Sequence, residues 1–297
     1  MNSIKAIARS ARLRTRTTLF GNNHSVGLNV RYLRYEQVAR KSWRPRSKMP
    51  PDVMEAANRF TNLGYEVLPP PSAFNRERLV ELKAKVDRLF DEQSGGYVVN
   101  YGMRRLIDGL ELVPEVIDMI DGDAEAIIEN MYQSHFKIFA ASFYRTVQTT
   151  EKEDASFLWH IDNCPRPEIK MMVYLDDVSD DTGAFRLKTK TFTQGIQKEG
   201  FFDRRRIAKF VDRLEDASTT RVCEGPVGTR VLFANGGCVH KATSPRKSHR
   251  DVVSFVIIPS DIHWRVHYAR NRNFLSTNAG ICIDPFRDVP ENVGYHF

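Results

Sequence analysis

The rhythm of polar and apolar positions changes near residue 134. Before it, apolar residues recur at helical spacing. Val53, Ala56, Ala57 and Phe60 form one face after Pro50-Pro51, with Asp52 and Glu55 placed as a capping box. Leu79, Leu82, Val86, Leu89 and Phe90 predict an amphipathic helix over 76–92, closed by Ser94-Gly95-Gly96. A short strand over 65–68 lies between the two. Further helices are predicted over 114–120, with proline near the start, and over 124–132, with Asp123 as the cap. After residue 134 the runs become short, β-branched and aromatic, bounded by Gly, Pro and Asp. They predict strands over 135–146, 157–162, 169–175, 183–187, 221–223, 229–234, 239–243 and 252–259. Eight such strands with a helical layer on one face predict a mainly β fold with flanking helices, a double-sheet jelly roll or barrel. Residues 191–220 interrupt this texture. There Ile207, Phe210, Val211 and Leu214 are helically spaced beside Arg204-Arg205-Arg206, which predicts a helical insertion near one mouth of the barrel. The stretch 262–268 alternates but mixes aromatics with arginine, leaving strand and loop open. A packed C-terminal flap, a substrate rim and a dimer contact are all consistent with it.

The strand over 157–162 carries the chemistry. His160 and Asp162 lie two apart on an extended segment, so both point to one side and can grip one metal ion. His240, after the apolar run 229–234, offers a third ligand. Two imidazoles and one carboxylate form a facial triad that leaves open positions on the metal, the ligand set of non-haem Fe(II) oxygenases. Ten residues further on, Arg250 opens the run Asp251-Val252-Val253-Ser254-Phe255-Val256-Ile257-Ile258. An arginine at the mouth of a buried strand requires an anionic partner, and a dicarboxylate cosubstrate would supply one by a bidentate bond. Arg246 is the alternative should Arg250 serve structure. A His-x-Asp pair alone is weak evidence, since such pairs are common on surfaces; the distal histidine and the arginine give it weight. His249 is a rival ligand, yet on a strand it faces away from the side of Arg250. His135, His263 and His267 have no carboxylate two residues away and are expected to be structural. The competing reading is a cupin-like protein that binds a metal or ligand without oxygen chemistry, and a closed structural site would not need Arg250. An isomerase on a cupin barrel would call for three or four histidines, and no clear fourth is present.

His-x-Asp, a histidine 78 positions after the aspartate and an arginine ten beyond that resemble the Fe(II)/2-oxoglutarate dioxygenases. The flanking text, Trp159-His160-Ile161-Asp162, Met172-Val173-Tyr174-Leu175-Asp176-Asp177 and Gly228-Thr229-Arg230-Val231-Leu232-Phe233, looks most like their phytanoyl-CoA dioxygenase-like branch, over about residues 134–260. One departure stands out. Where that branch follows its Gly-x-x-Arg with a Pro-Gly-Ser-His turn, Gly183-Ala184-Phe185-Arg186 runs on into Leu187-Lys188-Thr189-Lys190-Thr191, which weakens any transfer of a particular substrate. The resemblance implies a double-stranded β-helix, Fe(II) held by His160, Asp162 and His240, and 2-oxoglutarate with its far carboxylate clamped by Arg250. It also implies consumption of O2, release of succinate and CO2, and ascorbate as an accessory reductant. Asp162 favours hydroxylation, because halogenating relatives lack this carboxylate. The implied substrate is a small molecule, sugar, lipid or acyl compound. Arg166, Lys188, Lys190 and Arg204-Arg205-Arg206 could line an entrance for an anionic one, though charge runs more often face solvent.

Composition adds a division of charge. The 297 residues, 41% apolar, suffice for one large catalytic domain with additions. Residues 1–50 hold 12 Lys and Arg against one acid, Glu36, whereas the remainder holds 32 against 36. A basic arm over 1–51 therefore precedes a mildly acidic catalytic domain over 52–297, and nucleic-acid binding by the body is not expected. Lys5, Arg9, Arg12 and Arg16 make one stripe on a helix. A solvated tail, contact of residues 1–48 with an anionic membrane, and a mitochondrial transit segment all remain open for the arm. No run approaches the length of a membrane span. Cys164, Cys223, Cys238 and Cys282 show no paired spacing and read as reduced. A cytoplasmic location is expected, with peripheral membrane contact and mitochondrial targeting as the alternatives.

Overall fold

The computed structural model describes residues 26–45, 49–92, 97–100, 102–106, 109–150, 154–162, 168–200, 204–214 and 219–276. The β strands are β1 (Tyr65–Leu68), β2 (Tyr97–Asn100), β3 (Met103–Leu106), β4 (His135–Val147), β5 (Ile169–Tyr174), β6 (Phe185–Lys188), β7 (Thr220–Cys223), β8 (Arg230–Ala234), β9 (His240–Lys241) and β10 (His249–Ser260). They form two sheets. The larger has the order β1-β8-β5-β10-β4-β3-β2, with all its pairs antiparallel, and the smaller has the order β7-β6-β9. The two are the halves of a double-stranded β-helix: the alternation after residue 134 predicted a double-sheet jelly roll or barrel, and the family resemblance implied this form of it.

Period-two alternation gives the large sheet two different faces. Its outer face carries Phe136, Ile138, Phe143, Ile169, Met171, Val173, Val253, Phe255 and Ile257, buried beneath the helices Pro51–Leu63, Arg76–Asp91, Gly122–Tyr132 and Trp264–Ser276. Its inner face presents Met172, Tyr174, Val231, Phe233 and Val252 to Ala184, Phe185, Leu187 and Cys223 of the small sheet. A third cluster joins Trp159, Ile161 and Val239 to Ile196, Ile207, Ala208 and Val211. Among the described residues, the 191–220 insertion forms two helices, Lys190–Lys198 and Arg204–Leu214, whose Ile196, Ile207, Ala208 and Val211 pack on Trp159, Ile161 and Val239.

Several local expectations are corrected. Residues 157–162 are not a strand: a 3-10 turn, Ala155–Phe157, leads into an extended stretch tied by one bridge, His160 to His240. The partner β9 is only two residues long, so no ladder can grow there. The cap of helix Gly122–Tyr132 is Asp121, whose Oδ1 accepts from the Ala124 N–H at 2.9 Å, rather than Asp123. Helix Pro51–Leu63 begins with its proline at the first position, where no N–H is needed, and the Asp52–Glu55 box does not form. Residues 114–119 wind as a 3-10 helix. The 262–268 stretch begins the helix Trp264–Ser276, with Trp264 buried, stacked on Phe136 and donating to Glu125. The β2–β3 hairpin was not anticipated. Within the stretch read as arm and linker, Val26–Ser42 is a helix that buries Tyr32, Tyr35 and Ala39, with Tyr32 packed on Phe139 and Ile258 of the large sheet. Residues 1–25, 46–48, 93–96, 163–167 and 277–297 lie outside the described set, so the stripe Lys5 to Arg16, the Ser94-Gly95-Gly96 stop, Cys164, Arg166 and Cys282 do too.

Candidate metal centre

His160 and His240 face each other across the single bridge. The His160 N–H donates to the His240 carbonyl at 3.0 Å, and the His240 N–H donates back at 2.9 Å. Both rings are oriented by their own backbones. Nδ1 of His160 lies 2.6 Å from the Leu158 carbonyl oxygen, and Nδ1 of His240 lies 2.8 Å from that of Cys238. A carbonyl only accepts, so each Nδ1 carries the proton and each Nε2 presents a lone pair. The ring centroids are 4.3 Å apart. Asp162 Oδ1 lies 3.3 Å from His160 Nε2, and Oδ2 lies 3.8 Å from His240 Nε2. One ligand atom from each of the three residues thus falls within 4.8 Å of the other two.

The electrostatics suit a cation. Burial, with His160 alongside, pushes the His240 imidazole down to about 3, so it is neutral near pH 7 and keeps its lone pair. Burial acting on Asp162 would raise its carboxyl. The charge of Lys170 overcomes this and holds the carboxyl well below the ordinary range. Lys170 Nζ sits 2.5 Å from Asp162 Oδ2.

Arg250 is fully buried on β10. Its Nη1 donates to the Gly183 carbonyl and its Nη2 to Thr146 Oγ1 at 3.3 Å, while Nε is buried without a partner. Gly183 turns with φ 86, and an added Cβ would meet the Thr243 carbonyl oxygen at 2.5 Å, so only glycine brings this carbonyl to the arginine. Thr243 Oγ1 and Ser244 Oγ on the crossing segment are also buried without partners. Arg246, the alternative, is exposed and bound to Asp180 at 3.1 Å and Asp181 at 2.7 Å. No carboxylate among the described residues pairs with Arg250, which leaves a buried cation facing the space between the sheets.

Among the described residues two further groups have three ligand atoms within 4.8 Å, and both are occupied by internal partners. Around Asp87, His249 and Asp251, Arg145 binds Asp87 at 2.6 Å and Asp251 at 2.7 Å. In the group Glu125, Glu129 and His263, Trp264 donates to Glu125 at 2.7 Å and His135 lies 2.5 Å from Glu129. His249 therefore faces the outer side of the sheet, as the alternation predicted. Lys188 is not at an entrance: it is buried, with Nζ donating to Thr219 and lying over the Trp159 and Phe192 rings. Lys190 reaches the Thr61 carbonyl, whereas Arg205 and Arg206 are exposed. Sequence reasoning missed Lys170 and Tyr144. Burial raises the Tyr144 hydroxyl, which hydrogen-bonds with Ser254 and feels the charges of Arg250, Lys170 and Asp162. The available signal was a lone lysine in the otherwise uncharged strand Ile169–Tyr174.

No protein-family model matches the sequence, and a search of curated proteins finds no match. Solved structures do match. The epimerase SnoN in complex with Fe3+, alpha ketoglutarate and nogalamycin RO superposes with a TM-score of 0.51 at 14% identity, over 71% of this chain and 84% of that one. HygX from Streptomyces hygroscopicus, with nickel, 2-oxoglutarate and hygromycin B bound, gives 0.50 at 17% identity, over 70% and 88%. The alpha ketoglutarate-dependent carbocyclase SnoK from nogalamycin biosynthesis gives 0.51 at 12% identity, over 72% and 87%. At these identities the likeness is one of fold.

Proposed function

We propose that the chain is an Fe(II)- and 2-oxoglutarate-dependent oxygenase that hydroxylates a C–H bond of a small molecule. In this reading His160, Asp162 and His240 hold the iron, and Arg250 receives the far carboxylate of 2-oxoglutarate. The observation that carries it is Arg250: a fully buried guanidinium with a free Nε, on the inner side of the sheet with Tyr144, which feels the charges of both Arg250 and Asp162, while two imidazoles converge with that aspartate. A closed structural metal site has no use for that cation. The donor set fits Fe(II), since two neutral imidazoles and one carboxylate fill one face and leave the other open.

When bound, the iron with 2-oxoglutarate supplies O2 activation coupled to decarboxylation, giving succinate, CO2 and an oxidised substrate. The protein's own part is positional. Arg250, anchored by Gly183 and Thr146, fixes the orientation of the cosubstrate. The backbone carbonyls of Leu158 and Cys238 hold the imidazole tautomers. The cover made by Ile196, Ile207, Ala208 and Val211 over Trp159 and Ile161 excludes water from that side. Asp162 occupies the position that halogenating relatives leave to chloride, which supports hydroxylation. The neighbouring folds include an epimerase and a carbocyclase, so the outcome in this architecture depends on how the substrate is presented. That SnoN was solved with nogalamycin RO and HygX with hygromycin B supports a small-molecule substrate. A branch assignment to the phytanoyl-CoA dioxygenase-like proteins rests on the sequence phrases alone.

The test is succinate release from 2-oxoglutarate with Fe(II), ascorbate and O2. Basal succinate from the full-length protein, absent in His240→Ala, is expected. Equal amounts from both would remove this centre from the reaction.

A further inference from the structure

We propose that Lys170 is a positioning residue of the metal centre: its ammonium group takes one oxygen of Asp162 and so limits that carboxylate to a single donor atom, keeping positions on the ion open for the cosubstrate. The proposal rests on the reading of the centre given above. Its starting point is the weak anchorage of Asp162. The aspartate lies two residues beyond the His160–His240 bridge, the segment's other backbone bond, from the Ala242 N–H to the Ser156 carbonyl at 2.8 Å, lies upstream, and no strand continues through residue 162. Lys170, by contrast, is on β5 in the middle of the large sheet, paired in register with Phe233 of β8 and Val256 of β10. It is the only charged residue of that strand, on the same face as Met172 and Tyr174. Its Nζ reaches Asp162 Oδ2 at 2.5 Å, whereas Oδ1 is the oxygen nearer His160 Nε2, at 3.3 Å. A strand inside the sheet thus dictates the rotation of a carboxylate that itself lies outside any strand.

Two consequences follow for a bound divalent ion. Carboxylates bind metals through one oxygen or two. With Oδ2 held by Lys170, Asp162 offers one. Without the lysine, the second oxygen can close onto the ion and consume a position that 2-oxoglutarate needs. Removing Lys170 also removes a positive charge from the space in which a dianion must bind. Both effects weaken 2-oxoglutarate, and neither weakens the metal, because an ammonium group beside a divalent cation repels it. The signature of positioning is therefore a separation of the two affinities. A merely structural lysine would lower them together.

The experiment uses full-length protein with Co(II) as a spectroscopic probe, in wild type, Lys170→Met and Lys170→Arg. Three quantities are read: Co(II) affinity, the intensity of Co(II) ligand-field absorption, and 2-oxoglutarate affinity of the Co(II) form. Lys170→Met is expected to bind Co(II) at least as tightly as wild type, with weaker ligand-field bands that report a higher coordination number. Its 2-oxoglutarate affinity is expected to fall by about tenfold or more. Lys170→Arg keeps the charge and the donor and should stay within a few-fold of wild type. An unchanged spectrum and unchanged 2-oxoglutarate affinity in Lys170→Met would overturn the proposal. So would parallel loss of Co(II) and 2-oxoglutarate. If Lys170→Met fails to fold, Lys170→Gln is read by the same criteria. Wild-type protein that binds neither Co(II) nor 2-oxoglutarate would instead overturn the reading of the centre itself, and this role with it.

Discussion

Arg250 is a charge that no carboxylate among the described residues answers, and its neighbours satisfy only part of its fork. Charged hydrogen bonds to a buried carboxylate contribute on the order of 1.5–3 kcal/mol, so Arg250→Ala should weaken 2-oxoglutarate binding by ~10–150-fold, measured by calorimetry on the metal-loaded protein. Arg250→Lys should restore only part of this, for want of the planar fork. Unchanged affinity would make the arginine structural. His160→Ala, Asp162→Ala and His240→Ala should each abolish succinate formation while circular dichroism stays near wild type. On the other face of the same strand, His249 Nε2 lies 3.3 Å from Asp87, 3.4 Å from Asp176 and 3.5 Å from Asp251, with Arg145 and Lys83 bound into the same network. The carboxylate of Asp251 raises the His249 pKa, against burial and Arg145. A histidine raised in the folded state stabilises fully below its unfolded value of about 6.5, and the contribution is lost as pH rises through the higher folded value. His249→Gln should therefore flatten thermal stability over that window. An identical pH profile would dissolve the assignment. That His160, Asp162 and His240 meet, and that Arg250 lies buried on β10, was legible in local spacing and residue type. Lys170 was not, because its meeting with Asp162 depends on how β5 is placed relative to a separate segment.

Elements were legible where the period was long and unbroken. The strands over 135–147 and 249–260 and the helix Arg76–Asp91 follow the pattern closely, since each buries one full face. Errors gathered where tertiary contact overrides a short pattern. Residues 157–162 alternate as a strand would, yet only two residues of β9 stand beside them, so extension is held by the burial of Trp159 and Ile161 instead of by a ladder. The helix Val26–Ser42 was hidden because its buried positions Tyr32, Tyr35 and Ala39 sit among arginines, and charge density suggested a solvated arm. Its packing changes what truncation should do. A protein beginning at Asp52 exposes Phe139 and Ile258, and re-exposure of two large apolar side chains costs about 3–6 kcal/mol. In a chain of this size that lowers Tm by roughly 6 °C or more, readable by calorimetry. Succinate formation at low temperature should survive, because Phe139 and Ile258 lie outside the cluster of His160, Asp162, His240 and Arg250. An unchanged Tm would mean that the helix adds nothing to the sheet.

At the scale of the molecule, the sequence revealed a β-helix body and a segregated basic start, but not how they meet. The +11 imbalance of residues 1–50 and the acidic remainder are properties of composition. Among the described residues no helix is long and apolar enough to cross a membrane. If the basic start contacts an anionic surface, the full-length protein should bind anionic vesicles more tightly than the form beginning at Asp52, by about 1 kcal/mol per Lys or Arg near the surface. The difference should shrink with salt. Equal binding would exclude that role. The central claim is that His160, Asp162 and His240 act as one ligand face together with Arg250 in the space between the sheets. It is tested most directly by anaerobic titration of the full-length protein with Fe(II) and then 2-oxoglutarate, following the charge-transfer absorption that arises only when 2-oxoglutarate chelates protein-bound iron. The account predicts one such chromophore per chain, lost in His240→Ala and formed only at much higher 2-oxoglutarate in Arg250→Ala. Tight Fe(II) binding with no chromophore at saturating 2-oxoglutarate would contradict it and leave a metal-binding protein of the same fold.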